Sequence, residues 1–244
     1  MVLFVLLLLS VPFWLVGALT GAMLPANLPV SGLMAVVPGT APVLVVAGRS
    51  GFAGVRRLLA RLGEPAPAPW WLPAVLVMPC ATALACWFMV LAGRPPPMAG
   101  VSVTAIAVAS VAFLVAAVGE ELGWSGFLTE PLARRLEHRS AGIVLGLIWA
   151  VWHVVPLLQA GRPAPWIGWW TVVTVGQRMI MMWIYANAGR GVPIMVVFHA
   201  SGNIAYALFP NGGTHYEPIF VAPIVVLVAV MTTACWPRRS EKIV

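Results

Sequence analysis

The most informative stretch of this sequence runs from Val111 to Leu128 and reads VAFLVAAVGEELGWSGFL. It is apolar or small except for two adjacent glutamates and one serine, and it belongs to a longer apolar run over residues 101–131. A helix of about 20 such residues crosses the hydrocarbon layer of a membrane, which is ~30 Å thick. The stretch therefore predicts a membrane-spanning helix that carries Glu120 and Glu121 within the lipid.

The rest of the chain shares this apolar character. Of its 244 residues 61% are hydrophobic and only 9% are charged, whereas soluble globular domains carry about 25% charged residues. This composition excludes a soluble monomer. Because lipid cannot satisfy open backbone groups, and because the apolar runs are too long and too uniform for barrel strands, we predict an all-α polytopic membrane helix bundle. Residues 1–244 are expected to form a single membrane domain.

Apolar runs bounded by proline, glycine or arginine predict about eight transmembrane helices. Their approximate bounds are 2–24, 32–48, 70–92, 101–131, 140–158, 166–188, 192–209 and 217–236. Lysine and arginine accumulate on the cytoplasmic side of membrane proteins. An inside N-terminus places eleven of the 14 basic residues in the cytoplasm and only Arg94 and Arg162 outside. We therefore expect a multi-pass protein of the cell membrane with both termini cytoplasmic.

The net charge of +7 is dispersed among loops, so it indicates topology and predicts no nucleic-acid partner. The expected partners are membrane lipid and a membrane-associated peptide. The chain is rich in alanine, glycine, proline and arginine and has a single lysine. That composition is typical of a GC-rich bacterial genome, and we expect a bacterial source.

The sequence contains seven glutamates and no aspartate, so two adjacent glutamates inside a span need a reason. An ionised acid near the centre of a membrane helix costs roughly 2.5–3.5 kcal/mol, and such residues usually mark functional sites. Adjacent residues point about 100° apart on a helix, so the two acids cannot aim at the same point. We expect one of them to act and the other to support it.

Two further spans carry polar groups at a similar depth. His153 lies in the fifth span, and Trp149 lies one helical turn before it, where an indole can pack against the imidazole. His199 and Asn203 lie four residues apart on one face of the seventh span. A carboxylate can take a proton from water and return it to a leaving amine, while imidazole and amide groups can stabilise an oxyanion. Together these groups predict hydrolysis of a peptide bond within the membrane.

At these residues the sequence resembles the CPBP family of intramembrane proteases, which includes the CAAX prenyl endopeptidases and the Abi and bacteriocin-processing proteins. The first family motif is matched by Glu120–Glu121, the second, an aromatic residue with histidine four positions later, by Trp149–His153, and the third, HxxxN, by His199–Asn203. The resemblance covers about residues 100–210, the expected catalytic core.

The resemblance implies an endopeptidase of the CAAX-protease type. We expect glutamate catalysis with no cofactor required, because Asn203 and a second glutamate suit hydrogen bonding better than metal coordination. In that enzyme Glu120 and His153 would activate water, and His199 and Asn203 would hold the oxyanion. Glu121 would be a supporting residue. A membrane or exported peptide is the expected substrate, because prenylated CAAX proteins are unusual in bacteria.

Two residues depart from the family pattern. Ser125 stands where many members have arginine, and Trp149 stands where phenylalanine is commoner. Arg178 lies inside the sixth span and should face the bundle. If it pairs with a glutamate, it supplies the charge that is missing at position 125.

Three alternatives remain open at this point. A zinc-dependent version of the same protease would use Glu120, His153 and His199 as ligands, which are suitable donors for zinc. The run Gly123–Gly126 matches the GxSG motif of rhomboid serine proteases, but there HxxxN precedes the serine, whereas here it follows. A non-catalytic binding, immunity or transport protein could hold an ion or peptide in the same cluster, with Gly119 and Gly202 permitting helix breaks.

Overall fold

The computed structural model describes residues 1–24, 28–97, 102–209 and 213–234, and nearly all of them are helical. The α-helices are α1 Val2–Thr20, α2 Val37–Ala60, α3 Trp71–Leu91, α4 Val103–Gly123, α5 Thr129–Gln159, α6 Ala164–Asn187, α7 Val192–Ala207 and α8 Pro218–Ala234. A π-helix, Trp124–Leu128, joins α4 to α5, and short 3-10 helices cover Val30–Val36, Arg61–Gly63 and Ala68–Trp70. Two-residue strands, Met23–Leu24 and Leu28–Pro29, form a small antiparallel pair. The predicted all-α class is confirmed.

Within the described residues, four helical stretches are long and apolar enough to cross a membrane. They are Val2–Thr20, Val30–Gly63, Ala68–Leu91 and Ile106–Gln159. Helix α7 and most of α8 are shorter apolar helices. The polytopic architecture is confirmed, whereas the number of eight spans and the orientation of the termini stay predictions. The end of the last predicted span, at residues 235–236, lies outside the described residues.

Two long helices contain a break in their backbone. Gly51 interrupts α2 with φ 59°, a value that glycine adopts without steric penalty. Glu137 interrupts α5 with φ 63°, within the predicted loop between the fourth and fifth spans. The helical path that starts at Val103 therefore continues through the π-helix, past the predicted span end at residue 131, and changes direction only at Glu137.

Helix α4 packs tightly against the segment that begins α2, because two glycines remove the side chains between them. A Cβ atom on Gly119 would lie 2.8 Å from the carbonyl oxygen of Ala35, and one on Gly123 would overlap the carbonyl oxygen of Pro38. Small residues four apart allow membrane helices to approach in this way. Since Glu121 lies two residues from each glycine, about 200° around the helix, it points away from α2 and toward the other helices.

Arg61 joins four parts of the bundle at its predicted cytoplasmic end. Its guanidinium donates to the carbonyl oxygen of Gly126 in the π-helix at 2.8 Å and to the hydroxyl of Tyr185 on α6 at 3.0 Å. It also donates to the carbonyl oxygen of Arg190 at 3.0 Å and forms an ion pair with Glu64 at 3.1 Å. These contacts attach the end of α2 to the segment that follows the two glutamates.

We predict that Arg61→Gln lowers the free energy of unfolding by about 1.5–3 kcal/mol, the range for hydrogen bonds to a charged group. The control is Arg57→Gln, since Arg57 is exposed on the preceding turn. Denaturant unfolding in mixed micelles measures both changes. Equal stability of the two variants would contradict the assigned role of Arg61.

Candidate active site

Glu120 lies in the last turn of α4 and is only 4% exposed. One of its carboxylate oxygens, Oε2, accepts hydrogen bonds from the indole N–H groups of Trp124 at 3.2 Å and Trp149 at 2.8 Å. The other oxygen, Oε1, has no hydrogen-bond partner among the described residues. The acid is thus held through one oxygen, and the second is available to a ligand.

The indole of Trp149 has a larger part than the sequence indicated. In the sequence it is notable as a replacement of the commoner phenylalanine, but its N–H donates to Glu120, and phenylalanine has no such donor. Trp124 makes the same kind of contact from the next turn of the helix. Trp124 lies four residues after Glu120, a spacing that places both side chains on one helix face and so predicts this contact. The family motifs do not include Trp124.

Glu121 is fully buried and carries a different set of partners. Its two oxygens accept a bidentate pair of hydrogen bonds from Arg178 on α6, both at 2.9 Å. His199 Nδ1 lies 2.9 Å from Oε1, and the hydroxyl of Ser125 donates to Oε2. Bidentate arginine–carboxylate pairs are among the stronger hydrogen-bonded contacts. The expected pairing of Arg178 with a glutamate is therefore present, and it neutralises Glu121.

Ser125 occupies the place of the usual family arginine and contributes a hydrogen bond instead of a charge. The positive charge comes from α6, through Arg178, which is 2% exposed. The guanidinium of Arg178 also lies 4.4 Å above the ring of Trp149. Arg178 thus contacts Glu121 directly and also contacts Trp149, the partner of Glu120. Motif spacing could not predict this position.

His153 lies in a pocket of aromatic rings. The ring centroids of Trp152, Trp170 and Trp149 lie 4.7, 5.4 and 5.7 Å from its own. Its Nδ1 is 2.9 Å from the carbonyl oxygen of Trp149. Since a carbonyl only accepts, Nδ1 must carry the proton, and in the neutral ring Nε2 is left as an acceptor. Trp152 and Trp170 were not singled out by sequence analysis.

His199 is 2% exposed and stands edge-on to Trp149, with ring centroids 4.9 Å apart. Asn203, one turn later on α7, is partly buried and has no side-chain partner among the described residues. The structure thus brings Glu120, Glu121 and His199 around Trp149, and His153 contacts the same indole. Asn203 lies on the same helix face as His199, as predicted. Among the described residues it has no hydrogen bond with Glu120, Glu121 or His153.

Three alternatives can be compared with this geometry. Within the described ranges, no three histidine, cysteine, aspartate or glutamate side chains are grouped closely enough to hold a metal ion. The hydroxyl of Ser125 donates to Glu121. Among the described residues, this hydroxyl has no hydrogen bond with His153 or His199. Gly119 and Gly202 lie inside α4 and α7 without interrupting them, so neither helix breaks as the transport alternative expected.

The fold and the site define a multi-pass α-helical membrane protein with an enclosed cluster of acids, imidazoles and one arginine. Residues 102–205 match the family model described as type II CAAX prenyl endopeptidase Rce1-like, and this segment contains all three motifs. The chain is also similar to a protein of Methanococcus maripaludis named CAAX prenyl protease 2, with 27% identity over 97 residues. That alignment covers 35% of each protein, so the chain matches about a third of the relative's length. The resemblance to the CPBP family is confirmed.

We predict that Arg178→Met is strongly destabilising, because it leaves the charge of Glu121 buried and unpaired. Breaking a buried pair in this way costs about 3–5 kcal/mol. The double variant Arg178→Met/Glu121→Gln removes the unpaired charge and should recover most of the loss. Unfolding free energies of the two single variants and the double variant test this coupling, and strictly additive effects would rule it out.

Proposed function

We propose that this protein is an intramembrane endopeptidase that hydrolyses a peptide bond in a membrane-associated peptide or protein. The observation that carries the proposal is the contrast between the two adjacent acids. Glu121 is neutralised by Arg178, whereas Glu120 has two indole N–H groups on one oxygen and, among the described residues, no hydrogen-bond partner on the other. The family match over residues 102–205 supports the same activity.

In this mechanism Glu120 and His153 activate the attacking water. Glu120 Oε1 and His153 Nε2 are both acceptors, so a water molecule between them donates one hydrogen to each. A lone pair of the water oxygen then attacks the carbonyl carbon, and Glu120 takes one of the water protons as general base. As the carbon–nitrogen bond breaks, the same proton passes from Glu120 to the leaving amine.

The oxyanion that forms at the carbonyl is held by His199 and Asn203. His199 donates its Nδ1–H to the ionised Glu121, so it can offer a second N–H to the oxyanion only as the doubly protonated imidazolium. Since Arg178 already balances the charge of Glu121, the developing oxyanion is itself the counter-charge of this imidazolium. Asn203 contributes a neutral amide N–H, and donors aimed at a developing charge lower the barrier most in a water-poor site.

The proposed enzyme acts with both termini in the cytoplasm and takes its substrate from the membrane, without a nucleic-acid partner. The relative named CAAX prenyl protease 2 makes a C-terminally prenylated peptide one substrate class to test. A membrane or exported bacterial peptide is the other. Peptide profiles of membranes with active protein and with Glu120→Gln identify the substrate, because only the active protein should release the fragments.

We predict that Glu120→Gln folds and binds peptide but loses at least ~10²-fold in turnover, the low end for general base catalysis. Ser125→Ala should lose only a modest factor, since the hydroxyl orients Glu121 and does not attack the substrate. Glu217→Gln makes the same chemical change in a loop outside the cluster and should keep full activity. Turnover of the peptide identified above, measured beside peptide binding, tests the three variants.

Two outcomes of this comparison would change the assignment. An inactive Ser125→Ala beside an active Glu120→Gln would favour the serine mechanism. Parent protein that binds candidate membrane peptides but releases no fragments beyond those seen with Glu120→Gln would favour a non-catalytic binding or transport role.

We predict that the proposed activity requires no metal. Purified protein should contain no stoichiometric zinc, and its turnover should be unchanged in the presence of a chelator. The physical reason is that Glu121 and Asn203 serve as hydrogen-bonding groups in this mechanism. Loss of activity in the chelator together with its return on adding zinc would support the zinc-dependent protease, with Glu120, His153 and His199 as ligands.

A further inference from the structure

Ser10 is a fully buried polar residue in α1, the helix that is otherwise buried only through Val2, Leu6 and Gly17. Its hydroxyl donates to the carbonyl oxygen of Leu6 at 2.8 Å and accepts the indole N–H of Trp152 at 2.8 Å. Trp152 is 142 residues away in sequence. Helix α1 lies outside residues 102–205, which match the family model.

Trp152 connects this hydrogen bond to the candidate active site. The indole is 2% exposed, and its ring meets that of His153 edge-on at a centroid distance of 4.7 Å. Its other neighbour is Trp124 at 5.6 Å, whose N–H donates to Glu120. The orientation of one indole ring therefore affects the surroundings of both residues that would activate water.

We propose that Ser10 is a positioning residue for His153, acting through the ring of Trp152, so that α1 is part of the active site and not only a membrane anchor. This inference rests on the proposed function for its catalytic consequence. The geometric part, in which Ser10 orients Trp152 and Trp152 orients His153, stands on the contacts alone.

The hydroxyl, and not the bulk of Ser10, carries this effect. A buried indole N–H needs an acceptor, because leaving it unpaired costs free energy. When the hydroxyl is removed, the ring of Trp152 must turn toward another acceptor. Since the ring packs directly against His153, such a turn changes the position of the imidazole. A displacement of the catalytic groups by about 1 Å can lower turnover 10²-fold.

The test uses the full chain in detergent micelles with isotope-labelled histidine. The protein has four histidines, so the imidazole signals are few, and His153→Gln identifies the signal of His153. Ser10→Ala should shift that signal and leave the others in place, because the ring current of Trp152 moves. Ser10→Thr keeps the hydroxyl and should restore the parent spectrum.

Thr20→Ala is the matched control. Thr20 is also in α1, and its hydroxyl donates to a carbonyl oxygen four residues earlier, Val16, as that of Ser10 does. It is exposed and contacts no aromatic ring of the cluster. Thr20→Ala should leave the His153 signal unchanged, which separates the Trp152 contact from a general effect of removing a hydroxyl from α1.

Activity provides the second measurement. Ser10→Ala should lower kcat by about 10- to 100-fold with KM changed by less than about threefold, and Ser10→Ala/Trp152→Phe should be no slower than Trp152→Phe alone. An unchanged His153 signal in Ser10→Ala, or additive losses in the double variant, would overturn the proposal. If Ser10→Ala does not fold, Ser10→Cys takes its place, because a thiol keeps the size of the side chain but is only a weak acceptor, and it must shift the His153 signal.

The two measurements also separate this inference from the proposed function. A shifted His153 signal in a protein that cleaves no peptide supports the positioning contact and contradicts the peptidase. Parent activity that is lost in Glu120→Gln but kept in Ser10→Ala supports the peptidase and contradicts the positioning role.

Discussion

The contact between Glu121 and Arg178 is the interaction on which the candidate site depends. Both side chains are buried in a bundle that lies in lipid, where a single ionised acid costs roughly 2.5–3.5 kcal/mol. Their bidentate contact cancels the two charges. Because His199 bonds to the same carboxylate, one group joins α4, α6 and α7. The orientation of His199 and the hydrogen bond of Ser125 both follow from this ion pair.

Helix geometry explains why two adjacent acids differ in chemistry. Glu120 and Glu121 point about 100° apart, and the close contact between α2 and Gly119 sets the rotation of the helix. Glu121 consequently meets a cation, whereas Glu120 meets two indole N–H groups. An indole is a neutral donor, so it holds the carboxylate without cancelling its charge. Glu120 is therefore oriented through one oxygen, and among the described residues its other oxygen has no hydrogen-bond partner, which suits the proposed role.

The π-helix begins three residues after Glu121 and connects the site to the end of the bundle. Such segments interrupt the regular helix ladder and are frequent at functional sites. Here the carbonyl oxygen of Gly126 accepts a hydrogen bond from Arg61, and the hydroxyl of Ser125 turns back to Glu121. A second connection to the site runs through aromatic residues. The hydroxyl of Ser10 on α1 accepts the indole N–H of Trp152, and Trp152 packs against His153. Residues far apart in the chain thus set the surroundings of both predicted water-activating groups.

Sequence alone determined the membrane class and six of the residues that the structure gathers in the cluster: Glu120, Glu121, Trp149, His153, Arg178 and His199. The reason is physical: in apolar spans each polar side chain is costly and therefore conspicuous, and a spacing of four places two residues on one helix face. Tertiary structure decided which acid meets Arg178, which indole N–H reaches Glu120 and which hydroxyl holds Trp152. These pairings depend on the rotation and tilt of separate helices, and spacing within one helix carries no information about either.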